Sequence, residues 1–334
     1  MNYGQPNRVS VIDPVTPAID RVKLILFKPF DLRKWFVIGF CAWLAYLGTG
    51  GGGGGGGPGG GGGPQYNVPS GQFESQEKIK EGIENARDYV SNNMYWIIPV
   101  VVTVVVLIIL IGFLVVWLNS RGKFMFLHCV ATNKAEVRVP WHKFRQQGNS
   151  LFLFRIVLGI IGFVVVIAPI FGIVVLIIKM VSGTTHGVVS IPLIVILGLT
   201  IFALSIFLFL IKKFTFDFVV PIMSLRMVSC TAGWREFMGL LSANKLRFTL
   251  YLLFQIVIRI VIGAMVAIGF CLGLCLCCVS CLLLILSILT LNYIGTVILL
   301  PLSVFTRSYS LYYLQQYGPQ FDVFRSEIET AEPV

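Results

Sequence analysis

Few side chains in this 334-residue chain have the type and setting to do chemistry. Arg259 is the most unusual. It is the single charge between Phe248 and Thr306. An ionisable group inside so long an apolar run costs several kcal/mol or forces local adjustment. Such an arginine either binds an anion, whether lipid phosphate or substrate, or it reaches along its aliphatic stem to the interface or a backbone carbonyl. The stretch CLGLCLCCVSC, residues 271–281, holds five of the eight cysteines. Thiolates at that density can bind zinc or copper(I). They need a polar or cationic setting to ionise, and these lie among Leu and Val, where cysteine also serves as a small apolar residue. His128, His142 and His186 are scattered along the chain. No activated nucleophile, acid–base pair or metal-ligand cluster is recognisable. The expectation is a protein that is not an enzyme and carries no cofactor or metal.

The elements that would position these residues are legible from hydropathy. The chain is 56% hydrophobic and 12% charged, about half the charge content of a soluble domain, which is roughly 25%. The runs Tyr95–Leu118, Ile156–Ile178 and Val188–Ile211 carry no charge, and about 20 apolar residues cross a bilayer. The pattern predicts an all-α integral membrane protein of about six transmembrane helices: 35–48, 95–118, 156–178, 188–211, 249–272 and 280–304. The first offers only 14 residues. Segments 1–34, 119–155 and 211–248 hold six, seven and six Lys/Arg, whereas 48–93 holds three against five acids. Positive loops stay in the cytoplasm. This divides the chain into a cytoplasmic N-terminus (1–34), a six-span membrane domain (35–304) with an extracytoplasmic loop at 48–93, and a cytoplasmic C-terminal tail (305–334).

The loop 48–93 contains thirteen glycines from Gly50 to Gly63, broken by Pro58. A phosphate-binding loop requires a Lys-Ser or Lys-Thr after its glycines, and none follows. Polyglycine is also too slack to hold a pore filter. It reads as a flexible tether. Behind it, Ile79, Ile83, Ala86 and Val90 fall at helical spacing and predict an amphipathic helix.

The basic loops resemble each other. Each contains W-x-x-F (Trp141 and Phe144; Trp234 and Phe237) and, 14 or 13 residues after the Trp, an arginine: Arg155 or Arg247. The N-terminus offers a looser version around Trp35. These segments predict amphipathic interfacial helices on the cytoplasmic side, with Trp35, Trp141 and Trp234 as interfacial anchors. Arg145, Arg155, Arg235, Arg247 and Arg259 are the candidate lipid- or anion-binding residues. The expected partners are membrane lipids, chiefly anionic, with a membrane protein or a second copy also open and no nucleic acid.

FKPFDLRKWFVIGF (27–40) and PLSVFTRSYSLYYLQQYGPQFDVF (301–324), with the six-span plan, resemble an uncharacterised group of bacterial multi-pass membrane proteins. That group is similar to the membrane domain fused to some glycerophosphoryl diester phosphodiesterases. The resemblance implies residence in a bacterial plasma (inner) membrane and a lipid-related role. It carries over no catalysis, because the barrel with acidic metal ligands is absent from this chain. Two functions are expected as alternatives: a non-enzymatic protein that organises or senses anionic lipid or scaffolds a membrane complex, or a transporter or permease subunit for a small anionic or lipid substrate. Proline-broken spans at Pro99, Pro169, Pro192 and Pro301 leave the second open.

Overall fold

A computed structural model describes residues 9–48, 93–182, 187–276, 293 and 295–324. The described residues are helical and contain no strand. In chain order the helices are α1 (Val15–Leu26), α2 (Leu32–Tyr46), α3 (Met94–Thr132), α4 (Arg138–Lys143), α5 (Arg145–Val181) and α6 (Gly187–Phe214). A π-helical turn (Thr215–Val219) leads into α7 (Val220–Arg226), followed by α8 (Cys230–Ala243), α9 (Lys245–Leu276) and α10 (Leu300–Gln315). The glycine tract, the predicted helix behind it, His186, Cys277, Cys278 and Cys281 lie outside the described residues, as does most of the predicted span 280–304.

Four helices are long and apolar enough to cross a membrane: Met94–Thr132, Arg145–Met180, Ser190–Arg226 and Lys245–Ile268. Their apolar windows are bare, with Phe163, Phe171, Leu199, Phe202, Ile260 and Met265 each more than 60% exposed. Water does not tolerate a bare apolar surface of that extent, and hydrocarbon covers it. The expected span at 35–48 is α2. Its 15 residues reach only about 22 Å, short of the roughly 30 Å hydrocarbon core, and one face packs into protein through Ile38, Cys41, Ala42 and Ala45.

The chain forms two units, Gly56–Val116 and Met1–Gly55 with Trp117–Val334. In the first, the described residues are the exposed apolar start of α3. In the second, α5 and α6 form a hairpin. Gly162 faces Leu208 and Gly172 faces Leu197, so one index rises as the other falls and the two helices run antiparallel. At their charged ends, helices that are bare elsewhere enter a packed bundle.

The centre of that bundle is aromatic. Phe218 lies 5.0–6.1 Å from the rings of Phe214, Phe237, Phe248, Tyr251 and Tyr313. Buried rings in edge and offset contact add to the area term about 0.5–1.5 kcal/mol per pair. The most enclosed helix is α10, where Val304, Arg307, Tyr309, Leu311, Tyr313 and Leu314 are at most 1% exposed. The start of the chain is stitched to it: Ser10 N–H donates to Gln316 Oε1 at 2.8 Å, Gln316 Nε2 donates back to Ser10 O at 3.0 Å, and Tyr309 OH donates to Val11 O at 2.9 Å.

Helix ends are satisfied by specific residues. Asp31 caps α2 by accepting the Arg33 N–H at 2.9 Å. The last carbonyls of α3 have no intrahelical donors, and buried Arg21 supplies them. Its Nη2 donates to Val130 O and Ala131 O at 2.8 Å, and its Nε to Val130 O at 3.1 Å. Asn133, at φ +56°, then turns the chain away, in the left-handed conformation usual just past a helix end.

Candidate functional site

The turn between α6 and α7 organises a buried polar centre, and Pro221 accounts for its geometry. Proline has no N–H, and its ring clashes with the carbonyl four residues earlier, here that of Asp217. The chain widens into a π-turn instead, and the Val220 N–H donates to Thr215 O. The Phe216 carbonyl is thereby passed over, and its own π-partner would be Pro221, which has nothing to donate. Arg307 of α10 takes that carbonyl, donating from Nη1 at 2.6 Å.

One side of the centre is a closed network. Lys213 Nζ stands 2.6 Å from Asp217 Oδ2, with the two side chains 8% and 2% exposed. Tyr251 OH donates to the same oxygen at 2.9 Å, and Gln255 Nε2 donates to Tyr251 OH at 3.0 Å. Lys213 Nζ completes the circle with a longer contact, 3.5 Å, to Gln255 Oε1. The i, i+4 spacing puts Lys213 beside Asp217 on one helix and Tyr251 beside Gln255 on the next.

The other side is cationic. The Arg307 guanidinium carbon lies 4.6 Å from the centroid of the Phe216 ring, and Lys123 Nζ lies 5.0 Å from it. Both side chains are buried, at 1% and 9% exposure. Lys123 makes no hydrogen bond among the described residues. Arg155 donates to Asn119 Oδ1 and, at 3.2 Å, to Ser120 Oγ. Asn119 in turn donates to Ala45 O at 2.7 Å and Leu47 O at 2.8 Å, tying the end of α2 to α3. Lys123 is within electrostatic reach of Arg155, Arg307, Lys212 and Asp217, and Lys213 within reach of Arg259 and Arg307. Burial pushes the Arg307 pKa down, with Asp217 opposing, to about 10, which leaves it charged at neutral pH.

The residues singled out in the sequence fall in two sets. Arg155 and Arg259 belong to this cationic group. Arg259 is half-exposed, 5.9 Å from the Phe209 ring. The preceding turns of α9 carry Phe248, Tyr251 and Gln255 into the packed bundle, so Arg259 sits where packing gives way to bare apolar helix. Arg145 and Arg235 are exposed and Arg247 half-exposed on the bundle surface. The Arg247 carbonyl accepts Tyr313 OH at 3.0 Å.

The tryptophans pack against protein. Trp35 Nε1 donates to Leu26 O at 2.8 Å, and Trp141 meets Trp117 edge-on at 5.8 Å with Arg121 over both rings. Trp234 packs on Phe154 and Phe237 at 6.1 and 5.6 Å. In both W-x-x-F repeats the phenylalanine is the buried member, Phe144 against Phe124 and Phe237 against Phe218. Lys123, Lys213, Asp217, Tyr251, Gln255 and Arg307 were not singled out from sequence. Pro221, directly beyond an apolar helix, was the one local signal of a displaced carbonyl.

Residues 9–290 match a family of unknown function, DUF7544. The chain belongs to that family. No curated protein and no solved structure matches the chain. The DUF7544 match takes in Lys123, Lys213, Asp217 and Tyr251 and ends before Arg307. Chemically, the centre in this DUF7544 chain gathers Lys123, Lys213 and Arg307 around one carboxylate among the described residues, Asp217, with Arg155 and Lys212 within reach of Lys123 and Arg259 within reach of Lys213. Such a set attracts anions, and cations in partial burial do so more strongly than in open water.

Proposed function

We propose that this chain is a non-enzymatic membrane protein that binds anionic lipid headgroups where its packed bundle meets its bare apolar helices. The observation that carries the reading is the charge imbalance: six cations, of which Lys123, Lys213 and Arg307 have buried side chains, and among the described residues a single carboxylate, at the ends of helices that are bare elsewhere. Burying cations without counter-charge is unfavourable, and an anionic headgroup supplies the missing charge. Each Lys or Arg near an anionic surface contributes about 1 kcal/mol. In this reading the chain crosses the membrane six times with both termini cytoplasmic, and the charged bundle faces the cytoplasmic leaflet, as the distribution of Lys and Arg favours.

The test is native mass spectrometry from nanodiscs holding equal phosphatidylglycerol and phosphatidylcholine. Retention of phosphatidylglycerol over phosphatidylcholine is expected, weakened when Lys212→Gln and Arg259→Gln are combined. Equal retention of both lipids sinks the reading. A transporter remains the second reading, favoured by the buried Lys213–Asp217 pair beside a π-turn, since such irregular turns recur at functional sites. Anion flux across proteoliposomes that stops in Arg259→Ala and not in Arg235→Ala would favour it.

A further inference from the structure

We propose that the unpaired edge of Arg307 is an oxyanion site that takes two oxygens of a phosphate group. The inference rests on the anionic-headgroup reading and names the atoms that would receive the charge.

The Arg307 guanidinium is held in place from two directions. Phe216 lies against its face, and Nη1 is spent on the Phe216 carbonyl. What remains is the edge formed by Nε–H and Nη2–H. These two donors point the same way and form the fork that matches a carboxylate or phosphate side-on. Both are buried, and among the described residues neither has a hydrogen-bond partner. Buried polar groups are nearly always partnered, so an exception calls for an explanation. A charged donor pair on a fully enclosed side chain is the costliest kind of exception.

Two further buried groups without partners among the described residues lie on the same helix, Ser303 Oγ and Ser308 Oγ. Ser303 is one turn before Arg307, at the i, i+4 spacing that puts both on one face of α10. A hydroxyl there can donate to a third oxygen.

Among the described residues, no ion pair accounts for the fork. Asp217 is the carboxylate within electrostatic reach of Arg307, yet its hydrogen bonds go to Lys213 and Tyr251. Lys123 adds a second cation within reach. Two cations and a two-pronged donor favour a group of charge above one, which selects free phosphate or a phosphate monoester over a carboxylate or a phosphodiester. The phosphate can belong to a lipid headgroup or be free in solution, and the chemistry of recognition is the same.

The experiment uses the full chain in nanodiscs. Inorganic phosphate binding is measured in discs of phosphatidylcholine alone, and phosphatidic acid retention is measured in mixed discs. Wild type is expected to hold one phosphate group. Arg307→Lys keeps the charge and loses the fork, and is expected to bind about tenfold more weakly. Arg138→Gln, on the exposed surface, is expected to bind as wild type. Saturable binding in phosphatidylcholine discs identifies free phosphate. Retention of phosphatidic acid with no uptake of inorganic phosphate identifies the lipid. No binding of either overturns the proposal, and so does undiminished binding by Arg307→Lys. Should Arg307→Lys lose its helical circular dichroism, Lys123→Met and Ser303→Ala are read instead, and wild-type affinity in both overturns it equally. Phosphate uptake that depends on Arg307 without any preference for phosphatidylglycerol would leave this site standing and remove the lipid reading. The reverse result would remove only this site.

Discussion

Replacing Asp217 by asparagine removes a carboxylate and little volume. In the folded chain it strands Lys213, whose ammonium lies 2.6 Å from Asp217 Oδ2 with its side chain 8% exposed. Arg259 and Arg307 are already within reach of that ammonium, so the loss of the one counter-charge leaves only repulsion. Removing one partner of a buried pair costs about 3–5 kcal/mol, because the other charge stays desolvated and unpaired. Tyr251 keeps an acceptor in the asparagine oxygen, so its hydrogen bond adds little to the loss. At 1.36 kcal/mol per tenfold, a cost of about 3 kcal/mol raises the unfolding constant more than about a hundredfold. Reversible unfolding in mixed micelles, followed by tryptophan fluorescence, reads this directly. Adding Lys213→Met to Asp217→Asn is expected to recover most of the loss, since removing both charges is far cheaper than removing one. The double-mutant cycle isolates the pair. A cost below about 1 kcal/mol for Asp217→Asn would mean that the pair behaves as an exposed one, and that the buried centre is wet and open.

Two more outcomes follow from the packing. A Cβ on Gly122 would lie 2.6 Å from Leu44 C and 2.7 Å from Ala45 N, backbone atoms that cannot yield, so Gly122→Ala is expected to lose about 1–3 kcal/mol. Gly159→Ala meets nothing within 4 Å and should gain up to about 1 kcal/mol of helix propensity; equal unfolding midpoints for the two would refute the close approach of α2 to α3. Burial pushes the Cys230 thiol up to about 12, so the folded chain favours its neutral form. That contribution is fully present below the ordinary value of 9.0 and fades as the pH rises from there towards 12. Maleimide labelling of Cys230 at pH 8 should be far slower in the native chain than in the unfolded one, and equal rates would show the site to be open.

The apolar runs 156–178 and 188–211 predict a hairpin, and α5 with α6 is that hairpin. The centre was much harder to see. Hydropathy marks where a helix leaves hydrocarbon and is silent on whether it then enters water or protein. Lys213 and Asp217 lie just past the apolar part of α6 and read as a solvated basic loop, although the helix runs on into the bundle. The same ambiguity bears on Arg259. Counted from the start of its apolar run it lies about ten residues deep, but Phe248, Tyr251 and Gln255 spend the first turns against protein. The segment SVFTRSYSLYYLQQYG shows the converse. Its tyrosines and serines have the look of an interfacial segment, and it is the most enclosed helix described, because tyrosine hydroxyls find partners in Val11 O, Arg247 O and one another.

This placement explains how the bundle tolerates so much positive charge. A cation at the foot of a membrane helix keeps water or headgroups within reach, and half-exposed Arg155 and Arg259 sit in that position. Arg307 does not. It is 1% exposed and anchored by a carbonyl that exists as a free acceptor only because Pro221 withholds a donor. Replacing Pro221 with alanine would restore the N–H and let the turn close to an α-helix, which takes the Phe216 carbonyl back into the helix ladder. Arg307 would then lose its anchor while its free edge keeps no partner among the described residues. The charge imbalance at the foot of the helices and the conformation of one turn are therefore a single feature, joined at Phe216.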